Sequence, residues 1–146
     1  MMELKKYREF WEMVAGKIEE ISGVIPVTVD EDVAKKIMAL KLDSITLFWI
    51  PPSATGKGKN IDSFQERNQC IVFVMQKYDP TRMDSLSVLE TTQPVIEKVK
   101  DFIKAIGMTT CSPWTLEDLQ LSTMPETKFS ANFAGWRVGF STCWMN

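Results

Sequence analysis

The segment PPSATGKGKN, from Pro51 to Asn60, alternates glycine with lysine, which is the composition of loops that hold phosphate groups. A Walker loop requires G-x-x-x-x-G-K-[ST], followed by a helix whose N-terminus receives the phosphates. When Gly58 and Lys59 are aligned with that motif, Ser53 stands where the first glycine belongs and Asn60 where the hydroxyl belongs. The residues that follow have the pattern of a strand rather than a helix. We therefore predict no nucleotide-binding loop.

The same segment is a candidate contact loop, because it is longer than a hairpin between adjacent strands needs and carries positive charge. It is either a solvated flexible loop or a segment that orders on an acidic surface, which belongs to a neighbouring subunit or to nucleic acid. Lysines lie at its tip and an arginine lies near its far base. The candidate contact residues are Thr55, Gly56, Lys57, Gly58, Lys59, Asn60 and Arg67.

The sequence contains no histidine, which removes Ser-His-Asp triads, Cys-His pairs and HExxH zinc sites. Its carboxylate runs, such as Asp30-Glu31-Asp32, are explained by helix capping or solvent exposure. Cys70, Cys111 and Cys143 are odd in number and widely spaced, so we expect ordinary buried or half-buried thiols rather than disulfides or a metal clip. No catalytic residue, metal ligand or cofactor is predicted.

The N-terminal region predicts two helices. Apolar residues recur at steps of three and four from Leu4 to Ile21, which indicates a helix of about five turns ended by Gly23 and Pro26. Its apolar stripe packs on the core or, alternatively, joins a coiled coil. A short second helix is predicted from a cap at Asp30 to about Lys41.

Two strands follow on either side of the glycine-lysine segment. ITLFWI, from Ile45 to Ile50, is rich in β-branched and aromatic residues and ends at a double proline. QERNQCIVFVMQKY, from Gln65 to Tyr78, is apolar on both faces at its centre and polar at both ends. It is therefore predicted to be a long strand whose centre is buried.

The C-terminal half predicts a helix and a second pair of strands. Asp84 caps a helix that ends at Gly107, with a break or kink at Pro94. LEDLQL then alternates as a strand, and TMPET has the composition of a turn. In the final strand the side chains divide between two faces, and the small-residue face lies beneath a helix or against a partner. These faces are Trp136, Val138, Phe140 and Trp144 on one side, and Arg137, Gly139, Ser141 and Cys143 on the other.

These elements predict one α+β domain spanning residues 1–146, with the order α-α-β-β-α-β-β. We expect an antiparallel or mixed sheet of about four strands, with helices packed mainly on one face. The net charge of −2 supplies no overall attraction to nucleic acid or anionic lipid. The longest apolar run has six residues and the N-terminal segment lacks the apolar core of a signal peptide, so we expect a cytoplasmic protein.

Four segments together resemble a small class of tailed-phage and prophage morphogenesis proteins, the tail-terminator, tail-completion and neck-type components. The segments are PPSATGKGKNIDSFQERN, CIVFVMQKYDP, TTQPVIEKVKDF and FSANFAGWRVGF. The resemblance implies a short α+β protein with long loops between strands, made in the host cytoplasm and assembled as a ring at the end of the tail tube. It implies no catalytic residue.

On this resemblance the loop from Pro51 to Ser63 faces a ring neighbour or the lumen, where Lys57 and Lys59 meet a subunit or packaged DNA. The predicted partners are copies of the chain itself and other tail or neck proteins, with weak contact to DNA and none to a membrane. The alternative function is a small intracellular accessory domain that binds a protein partner. Surplus tryptophan and methionine fits an oligomer interface or a large core.

Overall fold

The computed structural model describes residues 3–28, 31–57, 65–106 and 114–144. Within these ranges the chain forms three helices and six strands, in the order α-β-α-β-β-β-α-β-β. The helices are α1 (Leu4–Lys17), α2 (Glu31–Met38) and α3 (Ser85–Ile106). The strands are β1 (Ile21–Pro26), β2 (Ile45–Trp49), β3 (Ser53–Lys57), β4 (Gln65–Lys77), β5 (Trp114–Glu126) and β6 (Phe133–Trp144). The predicted α+β class is confirmed, with six strands rather than four.

The strands form one mixed sheet in the order β1-β2-β4-β6-β5. β1 pairs with β2 in parallel, and the other pairs are antiparallel. β4 is the central strand of the sheet. β6 pairs with one side of β4 over most of its length, from Glu66↔Trp144 to Lys77↔Phe133. On the other margin β2 pairs with residues 72–76, and β3 continues the line by pairing with residues 65–69.

The N-terminal helix is shorter than predicted. α1 ends at Lys17, Ile18 is extended, and Ile21 begins a strand that pairs with Ile45 of β2. The prediction of a helix to Ile21 is wrong because Ile18 and Ile21 keep the helical spacing, while the backbone of Ile18 is already extended and Ile21 belongs to β1. Ile18 remains buried, so the apolar pattern reported burial correctly but not conformation.

The second helix also ends early. α2 ends at Met38 rather than near Lys41. The ammonium group of Lys77 donates to the carbonyl oxygens of Met38 (3.0 Å) and Leu40 (2.8 Å), which takes up backbone acceptors at the helix end. The predicted cap, Asp30, lies outside the described residues.

One face of the sheet is covered by α1 and α3. Tyr7, Trp11 and Val14 of α1 are fully buried against apolar side chains of the sheet. The ring of Trp11 meets that of Phe140 edge-on at 6.2 Å, and the ring of Tyr7 meets that of Trp49 at 5.6 Å. The apolar stripe of α1 is thus used within the chain's own core, which confirms the packing helix over the coiled coil.

The opposite face is covered over part of its length by a second, smaller apolar cluster. Phe48, Phe73 and Met75 form its floor, and Ile37 of α2 and Phe129 pack against them. Two of the three helices therefore lie on the first face, in agreement with the prediction that helices pack mainly on one side.

Helix α3 is continuous through Pro94, so a break into two helices does not occur. The predicted cap is confirmed, because the Ser87 amide donates to Oδ1 of Asp84 at 2.8 Å. Pro94 cannot donate a backbone hydrogen bond. Side-chain donors reach other carbonyls in the turns before it: the hydroxyl of Thr92 donates to the Val88 carbonyl at 2.8 Å.

The last two strands meet at a turn that lies later than predicted. β5 continues through Pro125 to Glu126, so the prediction of a turn at TMPET is wrong, and the connection spans residues 127–132. Trp136, Val138 and Phe140 join the core beneath the helices, which confirms their predicted common face. The indole of Trp136 donates to the Leu89 carbonyl of α3 at 3.0 Å.

Candidate functional site

The predicted contact segment is a β-hairpin over part of its length. Ser53–Lys57 forms β3, so the prediction of one loop from Pro51 to Ser63 is wrong for this part. Pairing with β4 places Thr55 opposite Arg67 and Gly56 opposite Glu66. The reason is non-local: Ser53–Lys57 has weak strand propensity of its own, but it lies beside the first half of β4. The predicted residues Gly58, Lys59 and Asn60 lie outside the described residues.

β3 has a free margin in the part of the chain that the structure describes, where it pairs with β4 alone. The strand carries no proline between Ser53 and Lys57, and Ser53 and Gly56 are exposed. β5 is also an outer strand, but Pro125 and an irregular register between Leu116 and Leu121 interrupt it. Prolines and bulges are features that protect a sheet edge from pairing with another chain. β3 is thus the less protected of these two margins.

The sheet face opposite α1 and α3 carries a cleft of about 610 Å³. It lies beyond the cluster formed by Phe48, Phe73 and Met75. Most of its lining comes from alternate residues of adjacent strands, which the β4–β6 register places on one face. The side chains and glycine used below are Arg67, Gln69, Ile71, Ser122, Arg137 and Gly139. We call this site the outer cleft.

The outer cleft brings one predicted residue, Arg67, onto the same face as Arg137, which was not selected from the sequence. Arg137 had been assigned to the small-residue face of the last strand, and that face lies away from α1 and α3. Whether Arg137 lies near Arg67 depends on the register between β6 and β4, which no local sequence pattern predicts. Both residues are arginines, and none of the described residues lining the cleft is acidic.

The thiol of Cys70, beside the cleft, is unsuited to nucleophilic chemistry. Cys70 contributes to the lining but is 1% exposed, and its side chain joins the core on the helix side. Burial raises the pKa of the Cys70 thiol to about 11, partly offset by the hydrogen bonds of Tyr7 and Thr142. The thiol is therefore protonated near neutral pH, whereas thiolates are the reactive form.

The guanidinium groups of the two arginines make the outer cleft suited to binding a carboxylate or phosphate.

A buried polar pair lies next to Cys70 on the helix side of the sheet. Asn68 and Thr142 face each other across β4 and β6, and both are fully buried. Nδ2 of Asn68 donates to the Thr142 carbonyl at 3.5 Å, a long hydrogen bond. Oδ1 of Asn68 has no hydrogen-bond partner among the described residues. A buried polar atom without a partner costs about 1–3 kcal/mol, so this pair is a weak point of the core.

The described residues offer neither a metal site nor a membrane-spanning helix. No group of three or more histidine, cysteine, aspartate or glutamate side chains there is placed to hold a metal ion. No helix of those ranges is long and apolar enough to cross a bilayer.

No protein-family model matches the chain, and comparison with curated proteins gives no significant match. Proposals about its function therefore rest on the residues, the sheet margins and the outer cleft described above.

Proposed function

We propose that this protein is a non-enzymatic structural protein of a phage-type tail or neck, and that copies of it associate into a ring. The four segments that resemble tail-terminator, tail-completion and neck components support this proposal. Its partners are then other copies and neighbouring tail or neck proteins, and contact with DNA is weak because the net charge is −2. On this proposal the protein is made in the host cytoplasm and is incorporated in the virion.

The observation that supports self-association most directly is the free margin of β3 among the described strands. Unpaired strand margins present amide and carbonyl groups that a second chain can pair with. The margin is part of the hairpin that carries Thr55, Gly56, Lys57 and Arg67, four of the predicted contact residues. Pairing between this margin and a different surface of the next copy is a head-to-tail contact, which closes into a ring when the rotation permits.

A pair of proline variants tests the contact at the backbone. Consecutive residues of a strand direct their amides to opposite sides, so one of Ala54 and Thr55 has its amide towards β4 and the other has it towards the free margin. Proline removes the amide donor at either position. Ala54→Pro and Thr55→Pro are therefore matched variants: one weakens the hairpin, and the other blocks pairing at the margin and leaves the hairpin bonds in place.

Native mass spectrometry and thermal unfolding distinguish the outcomes. We expect the wild-type protein to be an oligomer of several subunits. One proline variant should fold with unchanged Tm but no longer form the oligomer, and the other should have a lowered Tm. A wild-type protein that stays monomeric at high concentration contradicts the ring and favours the small protein-binding accessory domain. An oligomer that survives both substitutions rules out the β3 margin as the contact.

A further inference from the structure

Two glycines on the same face of β6 have different structural reasons to be glycine. A Cβ at Gly135 would lie 1.9 Å from the Val74 carbonyl oxygen and 2.8 Å from Cα of Met75. A Cβ at Gly139 would meet only the Cys70 carbonyl oxygen, at 4.0 Å, which is ordinary contact. Neither residue has a positive φ. Close packing therefore accounts for Gly135, whereas neither packing nor backbone conformation in this chain requires glycine at position 139.

Gly139 lies in the floor of the outer cleft. It pairs with Ile71 on β4 and with Ser122 on β5, so three adjacent strands meet there without a large side chain at the centre. Any larger residue at position 139 would extend into the cleft, because successive side chains of a strand point to opposite faces. The glycine thus keeps open a space that the fold itself does not use.

The two arginines lie towards the two ends of this cleft. Arg137 is level with Phe73 of β4, and Arg67 precedes Phe73 by six residues on the same strand. At about 3.3 Å per residue, the backbones of the two arginines are separated by about 20 Å along the sheet. One small anion is too short to fill that separation. An extended peptide of about six residues matches it.

Charge and polarity along the cleft favour a peptide with acidic residues at its ends and an apolar residue between them. Nη2 of Arg137 contacts Sδ of Met124, a weak acceptor, and none of the described residues forms an ion pair with Arg137. The centre of the cleft presents the half-buried side chain of Ile71 next to Gly139. Two arginines at this spacing in a chain of net charge −2 supply little attraction to the continuous charge of DNA.

We propose that the outer cleft binds an extended acidic segment of a partner protein, with a carboxylate at each arginine and an apolar side chain over Gly139. The partner lies on the face of the sheet rather than along its margin. The cleft shares Arg67 with the β3–β4 hairpin, but it does not use the free margin of β3 and does not depend on whether copies of the chain form a ring.

The probe is a fluorescein-labelled peptide of ten residues, with glutamate at its third and ninth positions, leucine at its seventh and a serine–glycine background. The glutamates match the spacing of about 20 Å, and the leucine is level with Gly139 on the same side of the extended peptide. Its control has glutamine in place of both glutamates. Fluorescence anisotropy measures binding to the full chain at low and high salt. We expect the acidic peptide to bind at least tenfold more tightly than its control, since charge-assisted bonds to arginine are lost in the control.

Two variants test the two parts of the site. Gly139→Leu fills the centre of the cleft, and we expect loss of peptide binding with unchanged Tm. Arg137→Gln removes one charge, and we expect binding to weaken about tenfold and to lose part of its salt dependence. Circular dichroism of each variant establishes that the sheet is retained. If Gly139→Leu fails to fold, Arg137→Gln alone decides the role of the cleft.

Four results overturn the proposal. The first is equal binding of the acidic and glutamine peptides, and the second is undiminished binding by both variants. The third is stronger binding of a single-stranded DNA than of the acidic peptide, and the fourth is a wild-type protein that does not bind the peptide together with a Gly139→Leu variant that no longer forms the oligomer. The third assigns the cleft to nucleic acid, and the fourth assigns it to a second copy of the chain. Native mass spectrometry of the same samples keeps this test separate from that of the ring, because the cleft variants leave the β3 margin intact.

Discussion

Substitution of Gly135 by alanine tests how closely β4 and β6 approach each other. The added Cβ would lie 1.9 Å from the carbonyl oxygen of Val74, whereas ordinary contact begins at 3.4 Å. The two strands must therefore separate locally by about 1.5 Å, the difference between these distances. The obstacle is backbone, so no side-chain rotation relieves it.

The expected cost follows from what this separation disturbs. Overpacking a well-packed site costs about 1–3 kcal/mol, and each backbone hydrogen bond weakened around the Met75↔Gly135 pair adds about 1 kcal/mol. We expect Gly135→Ala to lower the free energy of unfolding by about 3 kcal/mol, a large part of the roughly 5–15 kcal/mol typical of a domain. For a chain of this size that corresponds to a decrease in Tm of about 6–12 °C.

Gly139→Ala is the matched control on the same face of the same strand. Its added Cβ has 4.0 Å of clearance, and alanine restricts the unfolded chain, so we expect a gain of about 0.4–1 kcal/mol. Urea unfolding followed by tryptophan fluorescence and circular dichroism measures both variants. A Gly135→Ala protein within about 0.5 kcal/mol of wild type would refute the close approach of β4 and β6. Equal losses in the two variants would refute the contrast between the glycines.

Two further predictions concern titrating groups. Burial raises the pKa of Cys70 from 9.0 to about 11, so the contribution of this thiol to stability is fully present below pH 9 and is lost as the pH rises towards 11. We expect the free energy of unfolding to decrease by about 2–3 kcal/mol over that window, and we expect no such decrease in Cys70→Ala. Urea unfolding at a series of pH values measures both proteins. Equal pH profiles of the two proteins would contradict this. Hydrogen bonds from Ser87 lower the pKa of Asp84, so its cap stabilises α3 above pH 3.8 and weakens as the pH falls below that value. Asp84→Ala should therefore lower Tm at pH 7 more than at pH 2.5, and an equal decrease at both values would show that the carboxylate does not stabilise the helix.

The elements that sequence patterns predicted best are those whose burial and conformation agree. β2 and β4 are apolar, β-branched and bounded by turns, and α3 has a capping aspartate and a long apolar stripe, so local propensity and tertiary packing indicate the same structure. For these elements the prediction required no knowledge of the rest of the chain.

The elements that were missed acquire their conformation from distant partners. Ile21 continues the spacing of a helix, but it becomes a strand because Ile45 offers a parallel neighbour. β3 consists mainly of small residues and is a strand because the first half of β4 lies beside it. Pro125 suggested a turn, yet an outer strand tolerates proline. Strand formation in these segments depends on pairing and burial more than on intrinsic preference.

The outer cleft was only partly predictable for the same reason. Arg67 was selected for its charge near the glycine-lysine segment, and Gly139 and Arg137 were assigned to one face of the last strand. Arg67 lies on the same face as Gly139 and Arg137 because the β4–β6 register pairs Cys70 with Phe140. A shift of one residue in this register would turn the β4 residues to the other face.

The order of strands in the sheet also has a consequence for how the protein is made. β5 precedes β6 along the chain but joins the sheet only through β6 in the described structure. During synthesis β2, β3 and β4 can form hairpins as they emerge, whereas β5 must wait for a strand translated after it. Closure of the β4–β6 pair also encloses α3 in the intervening chain, a non-local step of the kind that slows folding. A ribosome-bound chain stopped before Phe133 would therefore expose β4 along one entire margin, and this interval is when the nascent protein most needs protection from aggregation.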